Sequence, residues 1–259
     1  MDKRRVIYYK DEQNDEFSLA KITPRKIDGG YVYVNDSLFK RFTRFFWYRI
    51  VAMPLAFLYT KLKFAHKIVG ASKMKGVGSY FLYGNHTQDI ADALIPNMIN
   101  KTREKYVIVH PNNVSIPVIG KIAPSLGALP LPDDIRAQKN FSLAIEQRLS
   151  EGAAIVVYPE AHIWPYYTKI RPFADTSFHY PVKHGVPVFC FTNTYERRRF
   201  TREARIVTYV DGPFYPKKGL SPREQRRALR DEVYGCMCER AKASNYTLIE
   251  YVRLEDEND

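Results

Sequence analysis

The chain has 259 residues, enough for one domain with a substantial core and short appendages. A formal net charge of +12 calls for an anionic partner such as a membrane surface, a nucleic acid or an acidic cosubstrate. The three cysteines, Cys190, Cys236 and Cys238, exclude a disulfide framework and fit a reducing, cytoplasmic compartment; the lone Cys-x-Cys offers little for a metal.

Residues 1–36 read as an N-terminal extension without visible chemistry. The polar start Met1-Asp2-Lys3-Arg4-Arg5 does not resemble a secretory signal. Val6-Ile7-Tyr8-Tyr9 and Tyr31-Val32-Tyr33-Val34 alternate weakly, with a candidate hairpin across Gly29-Gly30. In residues 37–70, Phe42, Phe45, Phe46, Trp47 and Tyr48 interleave with Lys40, Arg41, Arg44 and Arg49. The uncharged run 50–60 is about half the ~20 residues a transmembrane helix needs, and Pro54 interrupts it. Aromatics flanked by cations predict a helix pair lying in a membrane interface, its cations toward anionic headgroups. A helical hairpin packed on the core is the competing reading.

Residues 71–250 hold the chemistry. Tyr80-Phe81-Leu82-Tyr83 reads as a buried strand stopped by Gly84-Asn85. From Asp89 onward, Ile90, Leu94 and Met98 recur at helical spacing. His86 therefore sits at a strand-to-helix turn with Asp89 and Asp92 close behind. A carboxylate on one imidazole nitrogen leaves the other to take a proton from a hydroxyl. A helix-capping histidine beside two solvated aspartates is the plain alternative.

Tyr106-Val107-Ile108-Val109 predicts a strand, and residues 114–132 an apolar, Pro-rich wall or irregular connection. Phe141, Ile145 and Leu149 place an amphipathic helix over 135–151, stopped at Gly152. Ala153-Ala154-Ile155-Val156-Val157-Tyr158-Pro159-Glu160 is a second buried strand ending in a carboxylate. His162 is a rival base, and Val186-Pro187-Val188-Phe189-Cys190-Phe191 a third strand, with Cys190 in the core. Arg205-Ile206-Val207-Thr208-Tyr209-Val210 predicts a strand ending at Asp211-Gly212-Pro213. Ser221-Pro222-Arg223-Glu224 starts a helix that continues past Cys238. Residues 251–259 form an acidic, frayed tail.

The ordered set resembles the glycerolipid acyltransferases typified by 1-acylglycerol-3-phosphate acyltransferase. Asn85-His86 resembles the start of their Asn-His-x-x-x-x-Asp motif, Tyr158-Pro159-Glu160 their Phe-Pro-Glu-Gly-Thr-Arg motif, and Val186-Pro187-Val188 their fourth motif. The motif's Asp would fall at Ala91; Asp92 comes one residue late and Asp89 two early, and Asp92 is favoured as the partner of His86. The third motif's Gly-Thr-Arg is replaced by Ala161-His162-Ile163. The second motif's arginine is missing from Leu126-Gly127-Ala128-Leu129-Pro130-Leu131-Pro132. In the family such arginines bind the acceptor's phosphate, which leaves Lys169, Arg171 or Arg136 as substitutes. The resemblance also assigns Glu160 to the acceptor and implies a Pro172-Phe173-led helix running to His184.

The expected architecture is α/β: a mostly parallel or mixed central sheet flanked by helices, with an N-terminal helical membrane-docking segment. The expected activity is acyl transfer from an acyl thioester (acyl-CoA or acyl-ACP) to a lysophospholipid or related glycerol acceptor. His86 is the base and Asp92 or Asp89 its orienter; no metal or redox cofactor is implied. The expected partners are an anionic membrane surface, the acyl donor, the lipid acceptor and an acyl carrier protein. The expected location is peripheral or monotopic, on the cytoplasmic side. A non-catalytic lipid-binding relative and a nucleic-acid-binding protein are the alternatives; the basic residues form no known nucleic-acid motif.

Overall fold

The computed structural model describes residues 5–17, 23–34, 37–117 and 119–254. The acidic end of the tail, 255–259, lies outside them. Four apolar segments become neighbouring parallel strands: β3 (Tyr80–Gly84), β4 (Lys105–Val109), β6 (Ala154–Val157) and β7 (Val188–Glu196). They belong to a seven-stranded sheet of order β2-β8-β7-β3-β6-β4-β5, completed by β2 (Lys67–Val69), β5 (Ala128–Pro130) and β8 (Arg205–Phe214). β8 is antiparallel to β7, and β2 runs parallel to β8. The sheet is therefore mixed, with five parallel strands and two reversed ones at one edge.

β3 is central, and every residue in it is buried. Phe81 and Tyr83 enter a core with Phe141, Ile145, Val233 and Met237, whereas Tyr80 and Leu82 enter one with Phe64, Ile95, Phe189 and Ile206. A strand covered on both faces loses its polar alternation, hence the continuous apolar run. α5 (Ile135–Ser150), α6 (His179–His184) and α7 (Pro222–Ala241) flank the sheet on the Phe81 side. α2 (Met53–Phe64) and α3 (Ala91–Ile99) cover the other. Ser221 and Glu224 close a capping box on α7, as their spacing predicts.

Several boundaries differ from expectation. β8 continues through the cis Gly212-Pro213 bond to Phe214, because pairing with β7 carries it across. β2 and β5, three residues each, are too short to carry a pattern and are held by their neighbours. The expected helix 172–184 begins late: a 3₁₀ turn spans Thr176–Phe178 and α6 follows. No hairpin forms across Gly29-Gly30, which make a turn against α5.

Instead β1 (Arg5–Tyr9) pairs in parallel with β9 (Ile249–Arg253), the two ends of the chain forming a second sheet. Residues 251–253, expected in the tail, are part of it. This sheet clamps Trp164: Tyr251 stacks on the indole at 4.9 Å, Tyr9 meets its edge at 4.7 Å, and Trp164 Nε1 donates to Asp15 O at 2.8 Å.

The arm 38–64 is one helical run and no hairpin. α1 (Leu38–Phe45) passes through a π-helical stretch, Phe46–Ala52, directly into α2. Pro54 has no N–H and crowds the carbonyl four residues back, which usually breaks a helix. Here the wider π ladder ends just ahead of it, so the chain continues. Among the described residues no helix is long and apolar enough to cross a membrane.

Candidate active site

The site is built at the carboxyl edge of β3. A Cβ on Gly84 would lie 2.1 Å from the Phe191 ring, so only glycine lets the strand end this close to β7. Asn85 then turns the chain. Its side chain donates to Asn193 O at 3.0 Å and accepts from the Asn193 N–H at 2.8 Å. His86 follows, its side chain 18% exposed, with Nδ1 2.9 Å from Asp92 Oδ2. The same carboxylate oxygen accepts the N–H groups of Thr87 and Gln88, each at 2.8 Å. Asp92 Oδ1 accepts from Asn193 Nδ2 at 3.3 Å.

Asp92 is thus the partner of His86. Helix α3 begins at Ala91, which puts Asp92 at its second position, aimed back at the turn. Asp89 precedes the helix and is exposed. Burial pushes the Asp92 carboxyl above its ordinary range, against the downward pull of the His86 hydrogen bond and charge and the two backbone donors. The imidazole stacks on Tyr158 at 4.5 Å, and the Tyr158 hydroxyl donates to Asp92 O. These contacts fix the ring with Nδ1 on the carboxylate and leave Nε2 for a bound hydroxyl.

Glu160 grips the same turn from behind. Its Oε2 accepts the His86 N–H and its Oε1 the Arg171 N–H, both at 3.0 Å. The Arg171 guanidinium lies 3.6 Å from Oε2 and donates to the carbonyls of Glu160 and His162. Burial raises the Glu160 carboxyl, and Arg171 is the largest opposing influence. Both side chains are buried, so neither offers a free face to an acceptor. The expected contacts of Glu160 and Arg171 with substrate are here replaced by contacts with the His86 backbone and the loop 158–171.

The remaining cations are dispersed. Lys169 is exposed on that loop. Arg136 is exposed at the start of α5 and packs over Gly29. It follows β5, three strands from β3, or about 14 Å across the sheet. His162 is partly exposed, its Nδ1 3.7 Å from Glu16 Oε2, and does not reach the His86 pair. Two open cavities of about 440 Å³ lie elsewhere; one is lined by 71–72, 74–76 and 99–103, the other by 24–26, 110–111, Leu131 and Asp133. His86 lines neither.

On the arm, Phe42 is 68% exposed, Phe45 56% and Phe46 43%, and Trp47 is half-buried. The arginines behave differently from expectation. Arg44 pairs with Glu104 at 3.0 Å, lies over the Tyr106 ring and donates to its hydroxyl. Arg49 donates to the carbonyls of Lys101 and Thr102. Their guanidinium groups satisfy polar atoms of the domain and fasten the arm to it, and Tyr48 adds a 2.6 Å bond to Asn97.

Sequence inspection missed the contribution of residues 5–17. Glu12 accepts from the Tyr167 hydroxyl at 3.1 Å and from Arg171, so the chain start braces the loop that carries Glu160. That link joins residues more than 150 positions apart and has no local signature. Asn193 and Tyr195 were missed as well; Tyr195 donates to Thr87 Oγ1 at 2.8 Å and accepts from Gln88.

The mixed α/β fold and the sequence comparison together support an O-acyltransferase. Residues 67–192 match the family model described as Acyltransferase, which supports a place in that family. The solved structure of PlsC, the 1-acyl-sn-glycerophosphate (LPA) acyltransferase of Thermotoga maritima, has the same fold. The match has a TM-score of 0.51 at 19% identity, over 81% of this chain and 97% of that one. No curated protein sequence matches the chain.

Proposed function

We propose that the protein transfers a fatty acyl group from an acyl thioester, acyl-CoA or acyl-ACP, to the hydroxyl of a lysophospholipid or related glycerol-lipid acceptor. One observation carries the reading: the 2.9 Å contact between His86 Nδ1 and Asp92, with Nε2 left open. The neutral Nε2 takes the acceptor's hydroxyl proton as the oxygen attacks the thioester carbonyl. Asp92 holds the Nδ1 proton and stabilises the imidazolium. Collapse of the tetrahedral adduct breaks the C–S bond, and the imidazolium returns its proton to the leaving sulfur. An ester and a thiol result. The donor is a cosubstrate, and the step uses no resident cofactor.

Glu160 positions rather than contacts: it holds the His86 N–H and therefore the ring's origin. The exposed aromatic face of the arm supports docking on an anionic membrane surface, with Arg44 and Arg49 orienting the arm. That gives a peripheral or monotopic protein of the cytoplasmic side, meeting its acceptor in the membrane plane.

The test is thioester turnover in anionic vesicles, with acyl-CoA and acyl carrier thioesters offered against a panel of lysophospholipid and glycerol acceptors. Acceptor-dependent thiol release that disappears in His86→Ala is the expected result. Vesicle-bound protein that releases no thiol with any pair would instead mark a non-catalytic lipid-binding relative.

A further inference from the structure

A chain of side-chain hydrogen bonds runs behind the active site. His66 lies between α2, which ends at Phe64, and β2, which starts at Lys67; Ala65 turns the chain there through a left-handed φ of 44°. His66 Nε2 is 2.8 Å from Thr208 Oγ1 on β8. Thr208 Oγ1 donates to Asn193 Oδ1 on β7 at 2.6 Å, and Asn193 Nδ2 donates to Asp92 Oδ1 at 3.3 Å. All four residues are buried.

Chemistry sets the direction of this chain. An ionised carboxylate only accepts, so the amide presents its NH₂ to Asp92 and its oxygen to Thr208. The hydroxyl proton of Thr208 is therefore spent on Asn193. Its oxygen must accept, and the donor is His66 Nε2–H. Every proton in the line points toward Asp92. Asn193 is locked in this orientation by two further bonds between its backbone and the Asn85 side chain. Such aligned bonds polarise one another in a low-dielectric interior.

We propose that His66 is a positioning residue for the reaction: through Thr208 and Asn193 it holds the Asp92 carboxylate charged and turned so that its other oxygen meets His86. It touches no substrate. It lies two residues beyond the end of the membrane-facing arm, so the arm's end and the reacting pair share one hydrogen-bonded line. The inference rests on the acyl-transfer reading of the His86–Asp92 pair.

Two pairs of variants test it, each with melting temperature, kcat, acceptor KM and the NMR signal of the His86 Nδ1 proton. His66→Phe removes the donor, whereas His66→Gln keeps an N–H at the Nε2 place. Thr208→Val removes the hydroxyl at constant shape, whereas Thr208→Ser keeps it. The expected result is a kcat loss of about tenfold in His66→Phe and Thr208→Val with acceptor KM within about twofold. His66→Gln and Thr208→Ser recover most of the loss, and the Nδ1 proton signal shifts only in the two variants without a donor. Equal losses in Val and Ser, or Phe and Gln, would assign the effect to packing and overturn the inference, as would wild-type kcat and an unmoved Nδ1 signal throughout. His86→Ala is the control. If it turns over thioester as well as wild type, the catalytic reading fails, and the Nδ1 signal still reports whether the line reaches the pair.

Discussion

The turn 85–88 is held from two regions that differ in how they balance a buried carboxylate. From α3 comes Asp92, six residues beyond the histidine it faces; from the loop 158–171 comes Glu160, 74 residues away. Burial pushes both carboxyls upward, and the opposing influences separate them. Glu160 has a permanent cation, Arg171, and its oxygens go to backbone N–H groups. Asp92 has only neutral donors and an imidazole that the proposed reaction would protonate. A carboxylate with a fixed counter-ion is a clamp; one whose partner ionises is equipped for a proton in motion. The largest effects should divide along that line. His86→Ala is expected to lower kcat by about 10²- to 10⁴-fold without a change in melting temperature, read by single-turnover thiol release.

The loop should respond in the opposite currency. Arg171→Met leaves the Glu160 charge buried without its cation, and one-sided removal of a buried ion pair costs about 3–5 kcal/mol. Urea unfolding of Arg171→Met should show that loss. Unchanged stability would mean that backbone donors alone satisfy Glu160 and that the contrast between the two regions is smaller than the geometry indicates.

A third measurement separates the regions by pH. Burial, aided by Lys61, lowers the His66 imidazole from its ordinary 6.5 to about 4. Between those values the unfolded chain carries the proton and the folded chain does not. Stability therefore falls as pH drops from about 6.5 toward 4, by about 3 kcal/mol when complete. Urea midpoints of wild type and His66→Gln across that window should diverge, with wild type the more acid-sensitive. Parallel curves would show that the folded imidazole accepts a proton without penalty.

The arm supplies the next contrast, between a face that holds to the domain and the exposed aromatic face proposed to dock. Phe42 is largely exposed, whereas Tyr48, two turns on, is buried and bonded to Asn97. Phe42→Ser should weaken partition onto anionic vesicles by about tenfold, since a buried Phe side chain contributes about 1.5–3 kcal/mol. Flotation assays on both proteins read this directly, and equal flotation would move the docking face off the arm.

Much of the candidate site's edge was legible because it is local. β3, its glycine stop, His86 and a helix behind it are written within twenty residues by apolar run, breaker and spacing. The aromatic arm was legible by composition. What stayed hidden depends on contacts between distant segments. The β1–β9 pairing joins the chain's ends, and nothing in Val6-Ile7-Tyr8 names a partner near residue 250. Arg171 reads as a free cation for phosphate until the loop folds it onto Glu160. Pro54 reads as a break until the π turn ahead of it is seen. Asn193 and Thr208 look like ordinary strand positions, because a buried polar line is defined only by the sheet order that stacks β7, β8 and β2.

The smallest effect is the sharpest test of the pairing. Asp89 and Asp92 are three residues apart on one side of His86, and a continuous helix from Asp89 would put both on nearly the same face. The helix starts at Ala91 instead, so Asp89 is left in the turn with its side chain in solvent, and Asp92 is drawn inside by three donors to a single oxygen. Asp89→Asn should change kcat by less than about twofold, as an exposed charge in high dielectric contributes little. Asp92→Asn places an amide where one oxygen accepts three hydrogen bonds, and should approach the His86→Ala loss. Comparable losses in the two asparagine variants would mean that both carboxylates act on the imidazole during turnover, and that the turn rearranges when acceptor binds.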